Sequence, residues 1–201
     1  MGQLNQTQQK IEMALFHLIF ELIKISILSC IYASLTLLIF KIIAHYKPNS
    51  WFGKASAKKL KFWFLSGLSI SIFLFFFMFS YYGDHGLGDS ARVPLGHSKA
   101  IQEVDGVQAY IQDEGPISMI EISKFKIADN FVYGYTSDSN VNYDGNYFVY
   151  NLVNNSVKTF KQKSEYLNFL AINKLDKNPN YKDFNYYYGE YWNGWRFWLL
   201  P

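Results

Sequence analysis

The sequence predicts an α+β protein: a two-helix transmembrane hairpin, then a small extramembrane domain with an antiparallel β-meander and two C-terminal helices. Three observations lead there. Phe62–Tyr82 runs for 21 residues without a charge, and 12 of them are Phe, Leu or Ile. Ile25–Phe40 gives a second uncharged stretch of 16 residues between Lys24 and Lys41. Residues 98–161 then alternate between apolar and polar around Asp-Gly, Asp-Asn and Asn-Asn pairs, the pattern of hairpins.

The second stretch is long enough to cross roughly 30 Å of hydrocarbon as a helix. Trp63, Tyr81 and Tyr82 stand at its ends, where amphipathic rings favour the headgroup layer. In the first stretch the flanking lysines can carry their ammonium groups outward along their stems, which lengthens the effective span. The expected layout is an N-terminal tail and amphipathic helix start over 1–23, a first span over 24–44 and a basic loop over 45–61. A second span over 62–82, a tether over 83–97 and a soluble α+β domain over 98–201 complete it. His17, Glu21 and Lys24 share one helical face at spacings of four and three. An amphipathic continuation of the helix into the headgroups accounts for them more simply than an intramembrane proton or ion relay. Ser26, Cys30 and Ser34, with Gly67 and Ser71, put small residues at spacing four, which lets helix backbones approach closely in lipid. Packing within the hairpin is their first use, and homo-oligomer contact through the transmembrane helices the second.

Charge sets the expected orientation. Six lysines and no acid lie from Lys41 to Lys61, and short loops of that kind stay in the cytoplasm. The C-terminal domain is then expected in the periplasm, on a membrane of the bacterial inner-membrane type. No cleavable signal peptide is apparent, because the apolar run starts late and follows acidic residues. Beyond Tyr82 there are 14 acids against 11 bases, a net of −3, which disfavours nucleic acid as a partner. The single cysteine, Cys30, rules out a disulfide framework within the chain.

Within the domain, a two-residue turn at Asp105-Gly106 would set Val104 opposite Val107 and Ile101 opposite Tyr110. Asp129-Asn130 would pair Ile127 with Val132 and Lys126 with Tyr133. Asn154-Asn155 would pair Leu152 with Val157 and Tyr150 with Thr159, with Phe148, Tyr150 and Leu152 on one face. Asp144-Gly145 marks a further turn. The apolar phase slips by one residue between Ile122 and Phe125, which places a bulge near Ser123. About six short strands result. Ser164 is positioned to cap a first helix, and a second is expected over Tyr181–Tyr191.

From Ser98 onward there is neither His nor Cys. This removes Ser-His-Asp and Cys-His nucleophilic catalysis and the usual zinc ligands from the domain. Asp84, His85, Asp89 and His97 are of ligand type, but at a spacing that matches a glycine-rich exit loop better than a compact metal site. No cofactor-binding or metal motif is recognised. Glu103, Glu121, Glu165 and Glu190 leave open a carboxylate-dependent enzyme acting on cell-wall glycan. The expected role is instead binding: a membrane-anchored domain recognising a protein partner, as an accessory subunit of an envelope complex or as an immunity-type protein that binds a toxin. Candidate partner-binding residues come from the aromatic C-terminal segment: Tyr188, Trp192, Trp195, Arg196 and Trp198. The same rings could instead fill the core, stack on sugar or rest in the membrane interface.

Overall fold

The computed structural model describes residues 2–112, 119–138 and 144–201. The chain divides into two compact units, one of residues up to Asp84 together with Trp195–Pro201, the other His85–Gly194.

The helical unit contains α1 (Gly2–Tyr46), α2 (Trp51–Ala57), α3 (Lys59–Met78) and α6 (Trp195–Leu199). The expected tail and first span form one continuous helix of 45 residues. Lys10–Tyr46 of α1 and all of α3 are long and apolar enough to cross a membrane. A helix at the centre of a soluble protein would be mostly enclosed, yet only 6% of the apolar window of α3 is buried. Phe64, Leu68, Ile72 and Phe76 all stand exposed along it.

Helices α1 and α3 pack through Ile25, Leu28, Leu74 and Met78. Gly67 faces α1, for a Cβ there would lie 3.5 Å from the Ala33 Cβ. Trp63 adds a hydrogen bond from its indole N–H to Ser34 Oγ at 2.9 Å. The packing stripe on α1 is therefore rotated from the expected one. Ser29 and Ala33 are buried, whereas Ser26, Cys30 and Ser34 are exposed. Ser26 and Ser34 donate to the carbonyls of Leu22 and Cys30 in their own helix, and Ser34 is also bonded to α3, accepting from Trp63.

In the basic connection, Ser50 caps α2 by accepting from the Gly53 N–H, and the Phe40 ring meets those of Trp51, Phe52 and Phe62. Helix α3 ends at Met78, four residues short of the expected Tyr82. The chain turns through Ser80, whose carbonyl accepts from Gly83 and Asp84. Gly83 permits this turn, because a Cβ there would fall 2.0 Å from the Phe77 carbonyl oxygen.

The sheet unit is a seven-stranded antiparallel meander: β1 (Ser90–Gly96), β2 (Lys99–Val104), β3 (Gln108–Gln112), β4 (Met119–Ala128), β5 (Phe131–Thr136), β6 (Tyr147–Asn151) and β7 (Ser156–Phe160). The strands pair in sequence order, and Phe125 of β4 also forms an isolated antiparallel bridge with Lys182. One face buries Val93, Ile101, Ile111, Ile120, Ile122, Phe125, Val132, Phe148 and Tyr150 beneath α5 (Phe184–Trp192). The other buries Tyr133, Val149 and Phe160 beneath Tyr166 and Leu170 of α4 (Lys163–Ile172).

The first strand lies within the stretch expected to be a tether. Its edge position accommodates Pro94, which cannot donate to a ladder. It turns into β2 through His97 and Ser98, both at positive φ (51° and 59°) and neither a glycine.

The Asp129-Asn130 hairpin has the expected register, with Ile127 opposite Val132 and Lys126 opposite Tyr133. The bulge near Ser123 is also present, as a register shift between Ile122 and Lys124. At Asp105-Gly106 both residues adopt positive φ, as the pair requires, but Val107 is left out of the ladder. Val104 then faces Gln108 and Ile101 faces Ile111, one residue away from the expected register. The shift sets two fully buried isoleucines opposite each other and leaves Val107 77% exposed. At Asn154-Asn155 the loop is longer than two residues, and Tyr150 pairs with Val157 rather than Thr159. A slip of two preserves the alternation, and Leu152 still reaches the core at 1% exposure.

Ser164 lies inside α4, whose N-cap is Gln162 without a side-chain cap bond. Helix α5 starts at Phe184 rather than Tyr181, because Asp183 caps it by accepting from the Tyr186 N–H at 2.9 Å.

Candidate functional site

Strand alternation and the β1–β4 registers place Arg92, Gln102, Tyr110 and Glu121 in one row across four strands, on the face opposite the Ile101 core. The Tyr110 hydroxyl donates to Gln102 Oε1 at 3.0 Å, and the Gln108 amide donates to Glu121 Oε2 at 2.9 Å. All five side chains are half-buried. The second apolar cluster draws on β5–β7 and α4, so this face of β2 and β3 carries polar groups where that of β6 carries Val149. The row thus combines a guanidinium, an amide, an aromatic hydroxyl and a carboxylate, the hydroxyl fixed by its bond to Gln102. Sequence reading missed this row because three strand registers must be known before the four residues line up.

The five aromatic-segment candidates fall into two groups. Tyr188 packs against the Ile101 core, and Trp192 is buried, its indole N–H donating to the Arg92 carbonyl at 2.6 Å. Trp195, Arg196 and Trp198 lie on α6 in the helical unit. There Trp195 and Trp198 are 61% and 72% exposed, and the Arg196 guanidinium sits 5.1 Å from the Trp195 ring centroid.

The acids named from the sequence are dispersed. Glu121 is engaged by Gln108, while Glu165, in the first turn of α4, and Glu190 on α5 are exposed. Glu103 differs from them: burial raises its carboxyl above the usual carboxylate range, and the nearby Asp183 charge adds to the effect. His85 meets the Trp192 ring edge-on at 5.5 Å, and His97 Nε2 bonds Asn130 Oδ1 at 3.0 Å. A cavity of about 430 Å³ opens beside the Ser123 bulge, lined by Tyr135, Thr136, Asp138 and Asp144 among others. Within that lining, Thr136 Oγ1 bonds the Gly145 carbonyl and Asp144 pairs with Lys161.

Beneath α4 the tyrosines form a cluster. The Tyr166 and Tyr181 hydroxyls share a hydrogen bond of 2.8 Å, Tyr147 stacks on Tyr166, and Tyr135 meets Tyr181 edge-on. Burial pushes the Tyr166 phenol up, and its hydrogen bond to Tyr181 does so further. Burial likewise pushes Tyr181 up to about 12, against an opposing effect of the shared hydrogen bond. A phenol whose folded pKa exceeds its unfolded value of about 10 stabilises the fold fully below pH ~10. That contribution is lost as pH rises toward about 12. In an alkaline titration, the phenolate absorbance of these tyrosines is expected to appear together with loss of the fold. Free titration of all 16 tyrosines near their ordinary value, with circular dichroism unchanged, would contradict the cluster.

Comparison with protein-family models, with curated proteins and with solved structures finds no match.

Proposed function

We propose that the chain is a membrane-anchored binding protein whose sheet unit recognises a protein partner outside the cytoplasm. The role is that of an accessory subunit of an envelope complex or of an immunity-type protein that binds a toxin. The observation that carries the reading is the Arg92–Gln102–Tyr110–Glu121 row, a polar and aromatic sheet face held in place by its own hydrogen bonds. Support for the anchor comes from the apolar exterior of α3 and of α1 beyond Lys24. The lysine-rich connection between them, free of acids, supports its retention in the cytoplasm.

The test is affinity capture with the full-length protein in mild detergent, followed by the same capture with Tyr110→Ala. Truncating a central interface tyrosine costs about 2 kcal/mol or more, which weakens binding roughly thirtyfold. Capture of a protein that is lost in the variant supports the proposal. Retention of glycan with no protein captured would overturn it.

Glu103 motivates a second reading, a carboxylate-dependent enzyme acting on cell-wall glycan. A carboxyl raised by burial beside a second carboxylate is the pattern of a general acid. Glu103→Gln would abolish glycan turnover under that reading and leave protein capture intact under the first.

A further inference from the structure

The chain leaves the helical unit after Asp84 and rejoins it at Trp195. The returning segment, α6, is fixed to α1 at two points. Tyr32 Oη donates to the Leu199 carbonyl at 2.6 Å, and Lys24 Nζ stands 5.0 Å from the Phe197 ring centroid. Lys24 marks one edge of the uncharged stretch of α1, and Tyr32 stands at the middle of that stretch. At 1.5 Å per residue the two levels are about 12 Å apart along the helix. The segment thus runs alongside α1 within its most apolar part. It does so at the end of the hairpin where Ile25 and Leu28 meet Leu74 and Met78, the end from which α3 leads into the sheet unit.

What α6 presents outward is apolar. Trp195, Phe197, Trp198 and Leu199 are all exposed, at the same levels as exposed Ile23, Ile27 and Ile31 of α1. A ring-rich segment tied to the centre of a transmembrane stretch would expose these residues to water only at a large hydrophobic penalty. Lipid removes that penalty, and the long Arg196 side chain beside Trp195 carries its guanidinium outward along its stem toward the headgroups.

We infer that Trp195–Pro201 is a lipid-embedded C-terminal anchor, so that the sheet unit is tied to the bilayer at both of its ends. The occupant of the exposed α6 face is the lipid that surrounds α1, because the two apolar surfaces are continuous. This inference rests on the membrane-spanning reading of α1 and α3.

The experiment separates the two. Full-length protein carrying Cys30→Ser is reconstituted into phosphatidylethanolamine–phosphatidylglycerol vesicles. It is spin-labelled singly at Trp198→Cys, Trp195→Cys, Ile31→Cys or Lys177→Cys. Collisions with oxygen, which concentrates in acyl chains, are compared with collisions with a water-soluble nickel chelate. Positions 198 and 195 are expected to match position 31, with oxygen collisions favoured, and to differ from the exposed Lys177 position on the sheet unit. Labels at 198 and 195 that read as water while 31 reads as lipid would overturn the anchor and leave the spanning helices standing. A water reading at position 31 would overturn both.

Discussion

Phe125→Ala is expected to lower the stability of the sheet unit by about 3–5 kcal/mol, the range for a fully enclosed phenylalanine. The side chain is 0% exposed, and its ring stacks on Tyr187 of α5 at 4.8 Å with an interplanar angle of 18°. The backbone of the same residue exchanges hydrogen bonds with Lys182, at 2.8 Å and 3.0 Å, and its carbonyl also accepts from the Tyr187 hydroxyl. Losing the ring opens a void between β4 and α5 at the point where the helix is joined to the sheet. Denaturant unfolding of the full-length protein in detergent, followed by near-ultraviolet circular dichroism, measures the loss. Val107→Ala, at an exposed loop position, should stay within about 0.5 kcal/mol of the parent. A Phe125→Ala loss below about 1 kcal/mol would refute the packing described.

Gly134→Ala is expected to be at least as damaging. Gly134 stands opposite Phe125 in the ladder, just beyond the bulge. A Cβ there would lie 2.2 Å from the Lys124 carbonyl oxygen and 2.7 Å from the Phe125 Cα, both backbone atoms that no rotamer change can move. Overpacking in a side-chain core costs roughly 1–3 kcal/mol, and a clash with backbone belongs above that range. Gly106→Ala is the control: its φ of 64° disfavours a side chain, but nothing lies within 4 Å, so the loss should be about 1 kcal/mol. Equal losses at the two glycines, read in the same unfolding assay, would argue against the tight β4–β5 approach.

These two residues also show where the sequence is informative. The slip of apolar phase between Ile122 and Phe125 is a local pattern, and it locates the bulge that turns Phe125 inward. The Asp129-Asn130 turn is equally local, and its register follows from two residues and their flanks. The Asp105-Gly106 turn is legible in conformation but not in register. An exposed Val107 can leave the ladder at little cost, and the pairing of Ile101 with Ile111 then decides the alignment from a distance. The first strand is hidden because Pro94 and Gly96 argue against a strand, and His97 and Ser98 turn without glycine. The aromatic C-terminal segment announces itself by composition alone. Trp192 goes into the sheet unit, bonded to Arg92, 100 positions away, while Trp195 and Trp198 go with the helices on a segment whose Leu199 is bonded to Tyr32, 167 positions away. The Gln102–Tyr110–Glu121 row is invisible for the same reason, since it exists only once three strands are in register.

The unbroken strand order carries a consequence for how the domain assembles. With β1 through β7 in sequence order, every new strand finds its template in the one made immediately before it. No strand needs to be inserted between two that are already paired, and each closure joins strands separated by at most ten residues, which keeps the entropic barrier to each addition modest. The sheet can therefore grow stepwise from Ser90 as the polypeptide emerges, and α5, which packs against the strand made first, closes the core once Phe184 arrives.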